Sequence, residues 1–168
     1  MIICRTPYRI SFFGGGTDYP EWYLKNTGEV ISTTIDKYLY LTCRNQPSFF
    51  KYKYRIIWRK IELAQNRQEI KHRVIKEMIK YLDIKDGLEI LYAGDLPAQS
   101  GMGSSSSFVV GLMTALFELK NIKFNKEKLA KESIYFEQKV LKEMVGSQDQ
   151  VANSYGGFQS IKFMRNGS

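Results

Sequence analysis

The chain has 168 residues, 43% hydrophobic and 25% charged, a globular composition close to one domain of about 150 residues. Lys and Arg outnumber Asp and Glu by 25 to 17, and the net charge of +8 favours anionic partners of any kind without choosing among them. Two cysteines without C-x-x-C spacing exclude a disulfide scaffold and a cysteine-only zinc site. The longest apolar stretch, 108–117, is about half the length that spans a bilayer, so a cytoplasmic protein with no membrane partner is expected.

Short strand-like runs come first, at 2–4, 10–13, 30–35 and 38–44. Between them, Asp18 followed by Pro20 marks a helix start, with Asp18 as its N-cap. Residues 51–56 alternate Lys51, Lys53 and Arg55 with Tyr52, Tyr54 and Ile56, which predicts a half-buried strand with a solvated basic face. Basic residues interleaved with aromatics also suit single-stranded nucleic acid, but the amphipathic strand outweighs that reading. Ile70, Val74, Ile75, Met78, Ile79 and Leu82 predict a helix over 69–82, with His72, the only histidine, at its solvated start. Asp86-Gly87 turns the chain into a strand at 88–92. An apolar helix over 105–119 and a second helix over 126–142 come next, before a last strand at 158–163. Strands and helices mix without strict alternation, so the fold class is α+β.

The strongest local signal is the stretch from Asp95 to Ser107, between a strand and the apolar helix. Gly101 and Gly103 let the backbone approach an anion closely, and the adjoining helix offers unpaired N–H groups and its positive dipole end. The serines add donors, and a serine hydroxyl can serve as a hard oxygen ligand for Mg²⁺. No Gly-Lys-Ser/Thr is present, so this is not a Walker A loop. Its plainer alternative is a Gly/Ser turn that caps a core helix.

This loop, Pro97-Ala98-Gln99-Ser100-Gly101-Met102-Gly103-Ser104-Ser105, resembles the phosphate loop of the GHMP small-molecule kinases, Pro-x-x-x-Gly-Leu-Gly-Ser-Ser. Met102 replaces Leu, a swap that conserves volume. Pro7 to Tyr19, which contains Gly14-Gly15-Gly16-Thr17-Asp18, resembles the N-terminal signature of the family's sugar kinases. Its Gly-Gly-Gly-Thr-Asp form is similar to the branch that phosphorylates D-glycero-D-manno-heptose 7-phosphate and its fucokinase-like relatives. Glu137 and Gly146-Ser147-Gln148-Asp149-Gln150 resemble the segment bearing the family's metal-binding glutamate and catalytic aspartate.

The resemblance implies an ATP- and Mg²⁺-dependent sugar kinase acting on the anomeric hydroxyl of the heptose 7-phosphate, with a fucokinase-like sugar 1-kinase as the alternative. Residues 1–168 would be the N-terminal ATP-binding domain, a ribosomal-protein-like mixed sheet packed with helices. The ferredoxin-like C-terminal half is absent and is an expected partner. Without that half, exposed apolar surface invites self-association, a homodimer being the simplest form.

The same resemblance implies site roles. Asp149 would be the catalytic base, with Arg9 beside it stabilising the ionised carboxylate and contacting substrate. Without the motif context Asp149 would equally suit the N-cap of a short helix through Tyr155; that context favours the base. Pro97, Ser100, Gly101, Met102, Gly103, Ser104, Ser105 and Ser106 would bind ATP, and Ser105 and Glu137 would hold Mg²⁺. Glu132, Glu137 and Glu143 lie on or near one polar helix, where carboxylates usually face solvent, so only the spacing to Asp149 selects Glu137. Arg9, Gly14, Gly15, Gly16, Thr17 and Asp18 would bind the sugar, the three glycines leaving room for a seven-carbon chain.

Overall fold

The computed structural model describes residues 1–98 and 100–166; Gln99 of the phosphate loop, Gly167 and Ser168 lie outside them. Two long strands organise the molecule. β1 (Ile2–Phe13) and β2 (Gly28–Asn45) run antiparallel along most of their length. The sequence predicts four separate runs here, but Pro7 and the strand bend are absorbed by register shifts between Pro7 and Arg9 and between Ser11 and Phe13. Such irregularities re-aim side chains locally, and the first one precedes Arg9.

The other edge of β2 is divided. Its start pairs with β6 (Phe158–Phe163), and its end pairs with β5 (Leu88–Gly94). Beyond β5 come β3 (Tyr54–Ile57) and β4 (Ile61–Ala64), giving six strands among the described residues. Among the described residues only the β3–β5 pair is parallel. A parallel pair needs a crossover, which β4, a 3-10 turn (Arg67–Glu69) and α2 (Arg73–Tyr81) supply.

α3 (Ser104–Leu119) is apolar on nearly every side from Phe108 to Phe117, as a helix buried along that stretch must be. Phe108, Leu112, Met113 and Leu116 pack in the main core with Leu41, Ile56, Ile75 and Ile90 of the sheet and α2. α1 (Pro20–Asn26) and α5 (Gln148–Tyr155) enclose a second cluster, in which Tyr23 stacks on Phe163 beside Val30, Ala152 and Ile161.

Several predicted elements change in detail. Lys51–Lys53 precede the strand rather than forming it, and Arg55 is paired with Glu89, so no continuous basic strand face exists. The helix expected over 69–82 begins only at Arg73, after the 3-10 turn. α4 (Lys126–Tyr135) gives way to a π-helical turn (Phe136–Val140) instead of running on to residue 142. Extra residues per turn rotate the side-chain directions of the helix, and this turn carries Glu137 inward, away from the solvated face that carboxylates of a polar helix usually take. Asp18 does not cap α1, whose N-cap is Tyr19. Nor does Asp149 cap α5, whose N-cap is Ser147. Among the described residues no helix is long and apolar enough to cross a membrane.

Candidate active site

β1, the loop before α3, and the start of α5 converge on one ion pair. Arg9 Nε and Nη2 both lie 2.6 Å from Asp149 Oδ1. Arg9 also secures the glycine loop: Nη1 donates to Gly101 O at 2.7 Å, and its own backbone N–H donates to Met102 O. The loop turns through two left-handed glycines, Gly101 and Gly103, the latter being the N-cap of α3. A Cβ at Gly103 would stand 3.1 Å from Asp149 Oδ2 and 3.3 Å from Arg9 Cγ. Glycine there lets the carboxylate sit directly against the helix N-terminus.

Burial pushes the Asp149 carboxyl above its ordinary value, Arg9 opposes this, and Asp18 adds a smaller upward push. Desolvation therefore outweighs the guanidinium. The result is a carboxylate more ready to accept a proton than an exposed aspartate.

Beneath the loop lies a second carboxylate. Glu137 is fully buried, and both its oxygens accept from Ser106 Oγ, at 2.9 and 3.1 Å. Gln150 Nε2 donates to it as well. Burial raises its pKa to about 7, against the lowering effect of the Gln150 and Ser106 hydrogen bonds. Its hydrogen-bond partners are all neutral. The serine facing this carboxylate is Ser106, whereas Ser105, expected as the metal ligand, is exposed. Ser107 donates to Pro7 O and accepts from Asn153 Nδ2, tying α3 to β1 and α5.

Three cavities meet around these groups. One of about 310 Å³ is lined by Arg9, Asp18, Gly103, Ser104, Gln148 and Asp149. A larger one of about 590 Å³ lies on the other side of Arg9, with Phe12, Gly14, Gly15, Ser100 and Gln148 in its wall. The third, of about 650 Å³, is aromatic: Tyr8, Trp58, His72, Tyr92 and Phe108 line it, and it reaches Ser104 and Ser105. Those two serines thus border both the aromatic cavity and the one holding Asp149.

The remaining expected residues have more structural settings. Thr17 Oγ1 donates to Gly14 O and accepts from Glu29 N, and Thr17 is not among the residues lining these cavities. Asp18 is 1% exposed and its carboxylate accepts from Gly16 N and Gln148 N, so it joins the Gly14–Gly16 turn to α5. Gly146 makes room for it, since a Cβ there would fall 1.8 Å from Asp18 Oδ2. Gly14 is required by backbone: a Cβ would fall 1.9 Å from Glu29 O. Met102 packs at the edge of the main core, and Pro97 is exposed at the start of the loop.

Sequence reasoning missed Gln148, Gln150 and the aromatic cavity. The two glutamines flank Asp149 in its motif, so their positions were visible but not their contacts. Trp58, His72 and Tyr92 come from separate elements, and no local pattern joins them. His72, expected in solvent, is half-buried within 3.1 Å of Tyr92 Oη, and burial lowers its pKa.

The profile of the GHMP kinases N terminal domain matches residues 69–157, which include the glycine loop, Glu137 and Asp149. The chain belongs to the GHMP kinase family. It is 28% identical over 174 residues to the D-glycero-alpha-D-manno-heptose 7-phosphate kinase of Campylobacter jejuni, a match covering 96% of this chain and 50% of that protein. Among solved structures it is similar to a D-glycero-D-manno-heptose 1-phosphate kinase from Bacteroides thetaiotaomicron, with a TM-score of 0.88 and 24% identity, over 100% of this chain and 58% of that one. A putative sugar kinase from Campylobacter jejuni superposes with a TM-score of 0.76 at 26% identity, over 99% and 53% of the two chains. The chain therefore spans about half the length of the relatives it matches.

Proposed function

We propose that this chain is the N-terminal half of an ATP-dependent sugar kinase that phosphorylates the anomeric hydroxyl of D-glycero-D-manno-heptose 7-phosphate to the 1,7-bisphosphate. The observation that carries the reading is the Arg9-held carboxylate of Asp149 set against the N-terminus of α3. Phosphoryl transfer needs an acceptor for the hydroxyl proton and fixed donors for spreading charge, placed together. Asp149 takes the proton. Arg9, the α3 N-terminus and the loop amides face the charge that develops on the phosphoryl group. The nucleotide spans two cavities, its base among Trp58, Tyr92 and Phe108 and its phosphates past Ser104 and Ser105.

Mg²⁺ fits the residues present. Glu137 is a buried carboxylate with neutral hydrogen-bond partners, and Ser106 adds a hydroxyl beside the loop. One or two protein oxygens, completed by phosphates and water, are what this ion ordinarily uses. When bound it supplies charge neutralisation to the polyphosphate. Ser106 and Glu137 are the residues that would hold it. The named function of the Campylobacter relative supports the heptose 7-phosphate as acceptor, and the positive net charge suits a phosphosugar. A cytoplasmic site of action, where ATP is made and thiols stay reduced, belongs to the same proposal; Cys4 and Cys43 are both free.

The test is ATP consumption by the full-length kinase with heptose 7-phosphate, unphosphorylated heptose, fucose and galactose. Preference for the heptose 7-phosphate is expected. In Asp149→Asn, turnover should fall at least about 100-fold while ATP affinity stays within about threefold. Preference for fucose would move the acceptor to the fucokinase-like branch. Unchanged turnover in the variant would remove Asp149 from the chemistry.

A further inference from the structure

The kinase reading leaves one side chain at the junction of two cavities without a task, and the role inferred for it rests on that reading. Gln148 lines both the cavity in front of Asp149 and the larger one beyond Arg9. It is only 9% exposed. Its main-chain N–H is committed to Asp18 Oδ2, but its side-chain Oε1 has no hydrogen-bond partner. Buried amides are nearly always paired, and an unpaired one is costly to the fold unless a ligand completes it.

Gly15 faces this amide. A Cβ there would lie 3.9 Å from Gln148 Nε2 and 3.9 Å from Ser11 Oγ, which is ordinary contact. Gly14 and Gly16 have left-handed backbones, whereas Gly15 does not. Neither crowding nor backbone geometry therefore demands glycine at 15, and what its missing side chain provides is open space in front of the amide. Ser100 Oγ, also without a partner, lines the same larger cavity.

We infer that Gln148 is a specificity-determining residue for the acceptor: its carboxamide binds a hydroxyl of a polyhydroxylated sugar whose reacting hydroxyl lies at Asp149. Gly15 keeps the approach to that carboxamide open. Gln148 and Asp149 are consecutive residues at the start of α5. A sugar held by both has its orientation fixed, so the pair selects which hydroxyl meets the base. A site built around such a bond rejects an analogue that lacks the hydroxyl far better than an apolar pocket could.

The experiment uses the full-length kinase, D-glycero-D-manno-heptose 7-phosphate and its monodeoxy analogues, read by steady-state kinetics and calorimetry. Gln148→Met keeps the volume and removes the amide. Its KM for the sugar should rise about tenfold with KM for ATP unchanged. One monodeoxy analogue should lose a similar factor with the parent and nothing further with the variant. Gly15→Val, which leaves Gln148 in place, should reproduce the rise in sugar KM. Equal rises in both KM values, a parental sugar KM in Gln148→Met, or full additivity with every analogue would overturn the proposal. Failure of the kinase reading looks different: sugar binding without transfer leaves the calorimetric coupling to decide Gln148. If the parent binds no sugar phosphate, both are overturned.

Discussion

Asp149 is set by opposing influences, burial raising its pKa and Arg9 restraining the rise. A base must be ionised to work. With the folded value above the ordinary 3.8, ionisation is lost at a higher pH as acid is added. The acid limb of kcat/KM against pH should therefore lie above that of an unperturbed aspartate. Arg9→Met removes the restraint, so the limb should move further up while turnover falls; a downward move would contradict this assignment of the pair. At this scale the sequence was legible where spacing carries the information. The separation of Glu137 and Asp149 and the ordered motifs brought Arg9, the glycine loop and both carboxylates to one place. Contacts were less legible. Which serine meets Glu137 depends on the pitch of α3, and Asp18 and Thr17 spend their oxygens on backbone groups that no motif specifies.

Among the elements, α3 and α5 matter most, because both present their N-termini to the site. The hydrogen bond from Asn153 Nδ2 to Ser107 Oγ ties the two together, and Asp18 holds the start of α5, accepting the Gln148 N–H and, through its own carbonyl, the Ser147 N–H. Gly146 allows that approach. Gly146→Ala should force Asp18 aside and destabilise the chain by about 1–3 kcal/mol, measured by urea unfolding. A change below about 0.5 kcal/mol would mean that Asp18 is not holding α5. α3 could be read from composition because an unbroken apolar run after a Gly/Ser loop has few other interpretations. β4 could not, since its Ile61 and Leu63 are exposed and give no inward-facing alternation. Nor could the π-helical turn at Phe136–Val140, whose sequence is also compatible with a continuous α-helix. That turn makes Glu137 a buried ligand candidate instead of one more surface carboxylate.

For the whole molecule, the proposed catalytic pair, Arg9 and Asp149, lines a cavity, and Phe12 and Phe13 line the neighbouring one that Arg9 shares. Phe13 and Phe158 are 72% and 73% exposed, and Phe12 contacts Phe158. Apolar exposure of this kind ordinarily marks an interaction surface, and the proposed C-terminal half would supply its cover. The 168-residue chain alone should turn over at least about 100-fold more slowly than the full-length kinase, since loosely placed reactants lose about that much. Comparable kcat/KM values would place the whole active site within this half.

The central claim, phosphoryl transfer from ATP to the anomeric oxygen of the heptose 7-phosphate, is tested most directly by phosphorus NMR of the product formed by the full-length kinase. The account predicts a sugar carrying two phosphate resonances, one coupled to the anomeric proton. ADP with inorganic phosphate alone, or a second phosphate on any other carbon, would contradict it.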